Sequence, residues 1–466
     1  MRTLRRVTPT PEQLPIISRT RAGVEIIVGA AGSGKTTTAL LRLRSLVGLH
    51  LSRRERLGDT SPVRVLVLTY NRTLRGYIDA LVQEEAQHFA GADLVVSTFG
   101  NWSRSSLGNP RVLDDDIARM TIADLGHNLG LPREFLNDEV EYILGRFKPE
   151  DLAKYASAPR VGRGRTPRLD RTMRQRILDE VVDPYREWKT NHGHRDWNDL
   201  AIQSAEADLG LPLDVVIADE TQDFSANQIR AVIRQLARTH NVTFVLDAAQ
   251  RIYARGFTWA EVGVTVRPEN VHRLAINYRN TIEIARFAAP LLKNLPLDDD
   301  GTIPDFNACR RHGPLPIVLK GRFSGQLAYV MNYLRQIDLT AESVAFLHPK
   351  GGRWFDYTRS SLTRAGYAYA EITRQSEWPT GGENIALSTL HSAKGLEFDH
   401  VFVLGLNSET MAHGDDPDDD RLDMHRRLLA MAVGRARVSV VLGYKASEAS
   451  RTVGFLDLDT FIEVNV

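Results

Sequence analysis

The chain has 466 residues, of which 42% are hydrophobic and 25% are charged, and its formal net charge is +1. This length predicts about two to four domains. The near-neutral charge excludes a basic field over the whole molecule, so any nucleic-acid surface would be a local groove. The single cysteine, Cys309, excludes a disulfide framework and a cysteine-based zinc site and suits a reducing compartment. We find no secretory signal pattern and no run of about 18 apolar residues, so we expect a cytoplasmic protein without membrane contact.

The first feature in chain order is a short turn over residues 8–13 that opens a helix and ends on Gln13. The side-chain amide of glutamine both donates and accepts hydrogen bonds, as recognition of an adenine ring requires. Two readings of Gln13 stay open at this point. It is either an adenine-binding residue or a solvated polar residue.

A glycine-rich turn between a predicted strand and a predicted helix follows. The strand covers residues 24–28, and the turn leads through Gly34 into Lys35 and Thr36, in the pattern G-x-x-x-x-G-K-[ST] of a phosphate-binding loop. We expect the backbone N–H groups and the helix N-terminus to bind phosphate, Lys35 to reach the β- and γ-phosphates, and Thr36 to ligate Mg²⁺. The predicted nucleotide contacts in this loop are Gly29, Gly32, Ser33, Gly34, Lys35, Thr36 and Thr37.

Two more apolar strands are predicted after a polar, arginine-rich connector over residues 50–62. The strand over residues 63–68 ends beside Tyr70 and Asn71, and the strand over residues 94–96 ends beside Thr98 and Phe99. Strands that alternate with helices predict a doubly wound parallel sheet, which binds ligands at the carboxyl ends of its strands. Aromatic rings beside small polar residues suit stacking on unpaired bases. Core packing remains the alternative for each ring.

Residues 103–205 interrupt this alternation and read as helical throughout. Helices are predicted over residues 114–129, 134–147 and 170–189. A cluster of arginines lies in this insertion, and it indicates either a solvated face or a flap that contacts phosphates. Its members are Arg160, Arg163, Arg165, Arg168, Arg171, Arg174 and Arg176.

The sheet pattern returns with an apolar strand over residues 214–218 that ends in paired carboxylates. Asp219 is predicted to hold Mg²⁺, and Glu220 to orient and deprotonate an attacking water. The next strand, over residues 242–246, leads to Gln250, whose amide could bridge water and the γ-phosphate. Tyr278 and Arg279 then bring a ring and a guanidinium group together.

A second α/β unit begins near residue 280. Strands are predicted over residues 317–319, 343–347, 385–387, 401–404 and 438–442, and a helix over residues 423–437 that carries several arginines. A polar turn, residues 388–397, joins two of these strands, and residues 415–420 form an acidic loop. The predicted fold class is therefore α/β with two parallel sheets.

These segments together resemble the superfamily 1 helicases of the UvrD/Rep type. The resemblance runs from Gln13 to about Tyr444, in the order of the family's motifs. It rests on the box at residues 219–223, the Asn-Tyr-Arg at residues 277–279, the motif at residues 389–397, and the arginine helix near the C-terminus. It implies two RecA-like P-loop lobes that clamp ATP and Mg²⁺ between them, movement along single-stranded DNA with RNA as an alternative track, and 3′-to-5′ direction.

The resemblance also implies a role for individual residues. Gln13 reads the adenine, Tyr278 stacks on it, and Glu397 lies by the ribose and phosphates. Gln250, Arg279 and Arg435 contact the γ-phosphate, the two arginines as fingers from across the cleft. Together with Lys35 and Glu220, these three form the predicted catalytic set. The single-strand track is implied to include Tyr70, Asn71, Thr98, Phe99, Tyr253 and His391.

The chain departs from the family pattern at four places. Gly100 stands where the family has a histidine, so one strand contact is missing. The aromatic residue after Tyr253 is displaced, and Phe257 or Trp259 is expected to replace it. Gly434 precedes the finger Arg435 and is expected to loosen its helix by up to ~1 kcal/mol. Only a turn-rich connector over residues 375–382 replaces the family's large second accessory domain.

We therefore expect three domains: a first lobe (residues 1–102 and 206–279), a helical insertion (103–205) and a second lobe (280–466). The main hypothesis is a monomeric ATP hydrolase that translocates along single-stranded DNA. The alternative is an ATP-gated DNA-binding subunit that serves a partner nuclease or effector, because the short connector leaves strand separation by this chain alone in question.

Overall fold

The fold is described from a computed structural model, which describes residues 9–29, 32–69, 75–76, 78–79, 90–159, 167, 169–210, 212–246, 257–274, 276–277, 279–295, 309–373, 378–379, 381–412 and 420–466. Five predicted site residues lie outside these ranges: Tyr70, Asn71, Gln250, Tyr253 and Tyr278. So do Arg160, Arg163, Arg165 and Arg168 of the arginine cluster, most of the acidic loop at residues 415–420, and part of the connector at residues 375–382.

The N-terminal half of the described chain contains a six-stranded parallel sheet. Its strands are β1 (Gly23–Gly29), β2 (Val63–Thr69), β3 (Ala92–Thr98), β4 (Leu213–Ala218), β5 (Leu236–Leu246) and β6 (Val271–Leu274). Their order in the sheet is β3-β2-β4-β5-β1-β6. The residues of β4 are buried throughout, as expected for parallel strands that are covered on both faces. The predicted parallel sheet is confirmed, and β6 is a strand that the sequence pattern did not indicate.

Two helices pack against this sheet next to the glycine turn. Helix α1 covers Leu14–Ser18, and α2 covers Lys35–Leu57. The polar connector predicted from His50 is wrong over its first part, because α2 continues to Leu57. Tertiary contacts explain the extension: the His50 ring bonds Asn241 at 3.0 Å, and Arg54 pairs with Asp214 at 2.7 Å. Polar residues that bind neighbouring elements therefore prolong the helix.

Helices occupy the stretch of residues 103–205 where the sequence predicts a helical insertion, and part of this stretch forms a separate apolar core. The helices between β3 and β4 are α3 (Phe99–Ser106), α4 (Asp115–Leu125), α5 (Arg133–Arg146), α6 (Arg171–Ile177), α7 (Asp183–Asn191) and α8 (Trp197–Glu206), with a π-helical segment, Leu178–Val182, between α6 and α7. The side chains of Val140, Ile143, Ile177 and Val181 are fully buried in this core. The side chains of Asp114 and Asp170 cap α4 and α6. Strand β4 then returns the chain to the first sheet, and α9 (Ala226–Arg234) follows it.

A second, seven-stranded parallel sheet follows. Its strands are β7 (Ile317–Lys320), β8 (Val344–His348), β9 (Ala370–Glu371), β10 (Ile385–Thr389), β11 (Phe398–Val403), β12 (Ala436–Tyr444) and β13 (Ile462–Asn465), in the order β13-β7-β12-β11-β8-β10-β9. Helices α10 (Ile282–Leu292), α11 (Phe323–Leu334), α12 (Asp356–Arg364) and α13 (Asp420–Val433) accompany it. Two parallel sheets with helices confirm the α/β fold class.

The predicted helix over residues 423–437 is wrong at its C-terminal end. Helix α13 ends at Val433, Gly434 and Arg435 form a turn, and Arg437 belongs to β12. Gly434 therefore follows the helix and costs it no stability. Within the part of the chain that the structure describes, no helix has both the length and the apolar character needed to cross a bilayer.

Candidate active site between the two sheets

The glycine turn after β1 is shaped by close approach of its neighbours. Gly32 and Gly34 have φ angles of +83° and +78°, which side chains rarely tolerate. A Cβ atom at Gly29 would lie 2.5 Å from Ser33 Oγ and 2.8 Å from the carbonyl oxygen of Leu274. The loop therefore keeps its backbone N–H groups accessible because it has no side chains at these positions, as phosphate binding requires.

The polar side chains around this turn occupy the positions that a nucleotide-binding site requires. Lys35 Nζ donates to the carbonyl oxygen of Gly29 at 2.6 Å, and Thr36 Oγ1 donates to Asp219 Oδ2 at 2.7 Å. Ser33 Oγ is buried and has no hydrogen-bond partner among the described residues. Gln13 is 2% exposed, with Nε2 at 3.5 Å from the carbonyl oxygens of both Ser33 and Gly34. The structure thus brings Gln13, Lys35 and Asp219 together around one loop.

The paired carboxylates follow β4 directly and are both buried. Burial first, and then the neighbouring carboxylate of Glu220, raise the pKa of Asp219 to about 6. Burial also acts to raise the pKa of Glu220, but the positive charges of Lys394, Arg435 and Lys35 together lower it. Glu220 has a φ angle of +53°, a left-handed conformation that is uncommon outside glycine and is found at functional sites.

Lys394, from the second α/β unit, forms ion pairs with carboxylates of the first. It lies in the turn between β10 and β11, is 2% exposed, and its ammonium group lies 3.2 Å from Glu220 Oε2. The same ammonium group pairs with the fully buried carboxylate of Asp223. Although burial acts to lower it, these two carboxylates raise the pKa of Lys394 above its usual range. A charged lysine of the second sheet therefore neutralises acids of the first.

Arg279 lies on the segment that connects the two sheets and contacts both sides. A Cβ atom at Gly32 would lie 2.9 Å from Arg279 Cβ, so this arginine sits against the glycine turn. Its guanidinium group pairs with Glu397 and donates to the carbonyl oxygen of Gly434 at 3.4 Å. Its Nε is buried with no partner among the described residues. Asn280 donates to the carbonyl oxygens of Gly434 and Ala436 at 3.1 and 2.6 Å, which ties the connection to the second sheet.

Arg435 is 3% exposed in the turn between α13 and β12. Its guanidinium group donates to the carbonyl oxygen of Leu396 at 3.4 Å and contacts Met431 Sδ at 3.3 Å. Its charge is close enough to Glu220 to lower the pKa of that carboxyl group. Arg435 of the second unit therefore lies close enough to act on the acidic pair of the first, while Arg279 of the connecting segment lies against the glycine turn.

The predicted nucleic-acid track is only partly described. Thr98 caps α3 by accepting from the backbone N–H of Asn101 at 3.4 Å. Phe99 is 4% exposed and packs edge-on against Trp102 and Phe224, so its ring belongs to the core and is not available to a base. Trp259 is half-buried against Phe244, with 4.9 Å between ring centroids. His391 is half-buried in the turn after β10, where burial and then Lys394 lower its pKa.

Some residues of this site were not assigned a role from the sequence. Lys394 and Asp223 lie inside motifs that the sequence singled out, and Asn280 directly follows one, yet none of them received a role. Their function depends on contacts across long stretches of chain: Lys394 and Asp223 are 171 residues apart. The sequence shows a lysine in the polar turn at residues 388–397 and an acidic motif at residues 219–223. Their separation along the chain does not indicate that these groups form an ion pair.

The site fits a magnesium–nucleotide complex by the chemistry of its donors. Thr36 Oγ1 and the buried carboxylate of Asp219 are hard oxygen ligands 2.7 Å apart, and Mg²⁺ is usually held by one or two such groups plus substrate phosphates. An added Cβ atom at Gly29, Gly32 or Gly34 would collide with neighbouring atoms, and the unpartnered hydroxyl of Ser33 lies in the same turn. The residues present therefore suit a bound triphosphate.

Two family models match this chain. Residues 10–267 match the UvrD/REP helicase N-terminal domain, and residues 368–447 match the UvrD-like helicase C-terminal domain. The first match covers more than half of the chain.

Three relatives illustrate how far individual proteins resemble it. The "Probable DNA helicase" of Mycoplasma pneumoniae is 21% identical over 448 residues, which covers 89% of this chain and 79% of the relative. The "ATP-dependent DNA helicase UvrD2" of Mycobacterium tuberculosis is 38% identical over 88 residues, or 17% of this chain and 12% of the relative. The "ATP-dependent DNA helicase Rep" of Escherichia coli is 36% identical over 55 residues, or 12% and 8%.

Proposed function

The chain belongs to the UvrD/REP helicase family, and we propose that it hydrolyses ATP, with Mg²⁺, to translocate along single-stranded DNA in the 3′-to-5′ direction. The observation that carries this proposal is the meeting of Lys394 and Arg435, from the second sheet, with the buried carboxylates that follow β4 in the first. A P-loop kinase of small molecules would leave the motif at residues 389–397 and the arginine helix near the C-terminus unexplained.

Each residue then has a defined task. The glycine turn and Lys35 bind the triphosphate tail, and Thr36 and Asp219 would hold the metal ion. Mg²⁺, when bound, neutralises charge on the phosphates. Glu220 orients and deprotonates the attacking water; its pKa is held low by three cations, so it is ionised and able to accept a proton at neutral pH. Arg279 and Arg435 stabilise the charge that spreads over the γ-phosphoryl oxygens.

The ion pairs suggest how hydrolysis is coupled to movement. In the described arrangement, Arg279 is engaged by Glu397 and Lys394 is engaged by Glu220 and Asp223. A bound γ-phosphate would compete for these cations because it carries more charge than a carboxylate. Nucleotide binding and hydrolysis would thus exchange contacts between the two α/β units, which is the change in closure that stepping along a strand requires.

The test is steady-state ATP hydrolysis with and without single-stranded DNA, compared with Lys35→Ala and Glu220→Gln. We expect strong stimulation by DNA, no turnover in Lys35→Ala, and bound but unhydrolysed ATP in Glu220→Gln. Normal turnover in either variant would contradict the assigned roles.

The same assay separates the proposed activity from the alternative of an ATP-gated subunit for a nuclease or effector. Slow turnover that DNA does not stimulate would favour the gated subunit. Labelled duplexes with 3′ or 5′ tails, of DNA and of RNA, then test strand separation, direction and the type of track.

A further inference from the structure

A fully buried arginine of α2, Arg42, has no part in the proposed hydrolysis mechanism. It is 0% exposed, and its partners in the described parts of the chain are a hydroxyl group and two carbonyl oxygens. The neighbouring carboxylate of Glu25 is engaged by Arg19 at 2.9 Å and by His272 at 2.5 Å instead. Burial of a guanidinium group costs free energy unless its hydrogen bonds compensate. The hydrogen bonds of Arg42 therefore indicate what it does.

These hydrogen bonds converge on α1, the short helix that follows Gln13. The Nη1 atom of Arg42 donates to the carbonyl oxygen of Ile16 at 2.8 Å and to that of Arg19, the residue that ends the helix. Its Nε atom donates to Thr243 Oγ1 at 3.1 Å, so β5 holds the guanidinium group in place. Arg42 therefore binds the C-terminal end of α1 and fixes it against α2 and the first sheet.

Helix α1 has few other attachments. It has five residues, of which only Ile16 is buried, and Leu14 is 52% exposed. A helix this short is marginal in water on its own. The side chain of Arg19 adds a second attachment, because it donates to Glu25 at 2.9 Å and to Asn270 at 3.2 Å. Hydrogen bonds at the C-terminal end of α1, more than apolar packing, therefore set its position.

Gln13 lies one helical turn from this attachment. Its backbone carbonyl oxygen accepts from the N–H groups of Ile16 and Ile17 at 3.1 and 3.0 Å. Its side-chain Oε1 accepts from the backbone N–H of Thr10 at 3.0 Å, which fixes the orientation of the amide. The contacts of Nε2 with the glycine turn are 3.5 Å long, beyond the usual range of a hydrogen bond, so Nε2 can take a better acceptor.

An amide that is fixed in this way can distinguish adenine from guanine. Adenine offers the N7 acceptor and the N6 amino donor on one edge, which match the Nε2 donor and the Oε1 acceptor of Gln13. Guanine offers two acceptors, N7 and O6, on the same edge. One acceptor of guanine therefore faces Oε1 whichever way the amide is turned. This discrimination requires the amide to lie at a fixed distance from the base, and that distance depends on where α1 is held.

We propose that Arg42 is a positioning residue for the selection of the base: it holds the C-terminal end of α1 and thereby places Gln13 where it recognises adenine. This inference rests on the proposed function, in which the glycine turn binds the phosphates of ATP, and extends it to a residue that the sequence did not single out. The competing role is structural support of α2, the helix that begins at Lys35. The first role affects the choice of base, and the second affects binding of the phosphates.

The experiment measures how ADP, GDP and inorganic pyrophosphate displace a ribose-labelled fluorescent ADP from the full chain. We expect wild type to prefer ADP to GDP, and Gln13→Ala to reduce this preference by roughly 5- to 150-fold, the range for a bidentate pair between an amide and adenine. Arg42→Met should reduce the preference by about fivefold or more. It should leave the affinity for pyrophosphate unchanged, because pyrophosphate has no base.

Matched variants separate positioning from folding. Arg53→Met makes the same substitution at an exposed position of α2 and should leave all three affinities unchanged. In the Gln13→Ala background, Arg42→Met should cause no further loss of preference if Arg42 acts through Gln13. Arg42→Lys keeps the charge but lacks the planar fork of donors. It should therefore fold more readily than Arg42→Met and still lower the preference for ADP.

The outcomes distinguish this inference from the proposed function. An unchanged preference for ADP in both Arg42 variants would overturn the inference, and so would a further loss in the Gln13→Ala background. A fall in pyrophosphate affinity that matches the fall for ADP would assign Arg42 to structural support of α2 and overturn it as well. If Gln13→Ala keeps the full preference, the inference fails while phosphate binding by the glycine turn stands. If wild type binds neither ADP nor pyrophosphate, the proposed function fails too.

Discussion

Replacement of Lys394 by methionine would remove the ion pairs that this lysine makes between the two α/β units, while nearly keeping the volume of the side chain. Lys394 Nζ lies 3.2 Å from Glu220 Oε2 and also pairs with the buried Asp223. With an effective dielectric constant of about 20, two unit charges at that separation attract by roughly 5 kcal/mol. The net effect is smaller, because Arg435 and Lys35 still act on Glu220 and because burial of the lysine itself costs free energy.

We expect two measurable consequences of Lys394→Met. The free energy of unfolding should fall by about 3–5 kcal/mol, the usual result of leaving buried carboxylates without their cation. The pKa of Glu220 should rise, so the acidic limb of the pH profile of kcat should move to higher pH. The direction follows because a base with a higher pKa loses its ionised form at a higher pH.

The assays are thermal or urea unfolding and ATP hydrolysis from acidic to alkaline pH. Lys394→Arg is the matched control, since it keeps the charge and should shift the limb less. A double-mutant cycle with Asp223→Asn measures the coupling between the two groups. An acidic limb that stays in place in Lys394→Met, with unfolding unchanged, would refute the argument that this lysine sets the charge state of Glu220.

Three other substitutions test separate parts of the molecule. Arg435→Ala should leave ATP binding intact but slow single-turnover hydrolysis by about 10³- to 10⁵-fold, and a mild effect would remove Arg435 from the finger role. Gly32→Ala should lower ATP hydrolysis at least tenfold, because its Cβ would meet the Asn277 side chain and lie 2.9 Å from Arg279 Cβ; Gly58→Ala, with φ +64° but nothing within 4 Å, shares the strain without the collision and should stay active. Burial, and then Lys350, lower the pKa of His348 to about 4. The unfolded chain therefore binds more protons, and stability should be lost as the pH falls from about 6.5 toward 4, by at most about 3 kcal/mol. Urea unfolding at both ends of this window should show a smaller loss in His348→Gln, and an equal loss would mean that another group titrates.

The local features of the nucleotide site were predictable from sequence. The phosphate loop needs a strand, a glycine turn and a helix within a few residues of one another, and the paired acids need only the end of one buried strand. The strands themselves could be predicted because parallel strands that are covered on both faces appear as continuous apolar runs. Element ends were predicted less well, since α2 is extended by contacts of His50 and Arg54 and α13 ends before Arg435.

The sequence by itself determined which chemistry to expect of this chain, because phosphate binding and metal coordination are predicted from short, contiguous patterns. Only the tertiary structure decided which distant groups meet at that site. Lys394 reaches Glu220 and Asp223, Asn280 binds the carbonyl oxygens beside Arg435, and the ring of Phe99 turns into the core. The tertiary structure also leaves Trp354 exposed and stacks its ring on that of the buried His348. The physical reason is that long-range ion pairs and the choice between a buried and an exposed ring depend on how sheets and turns pack, which one-dimensional spacing does not encode.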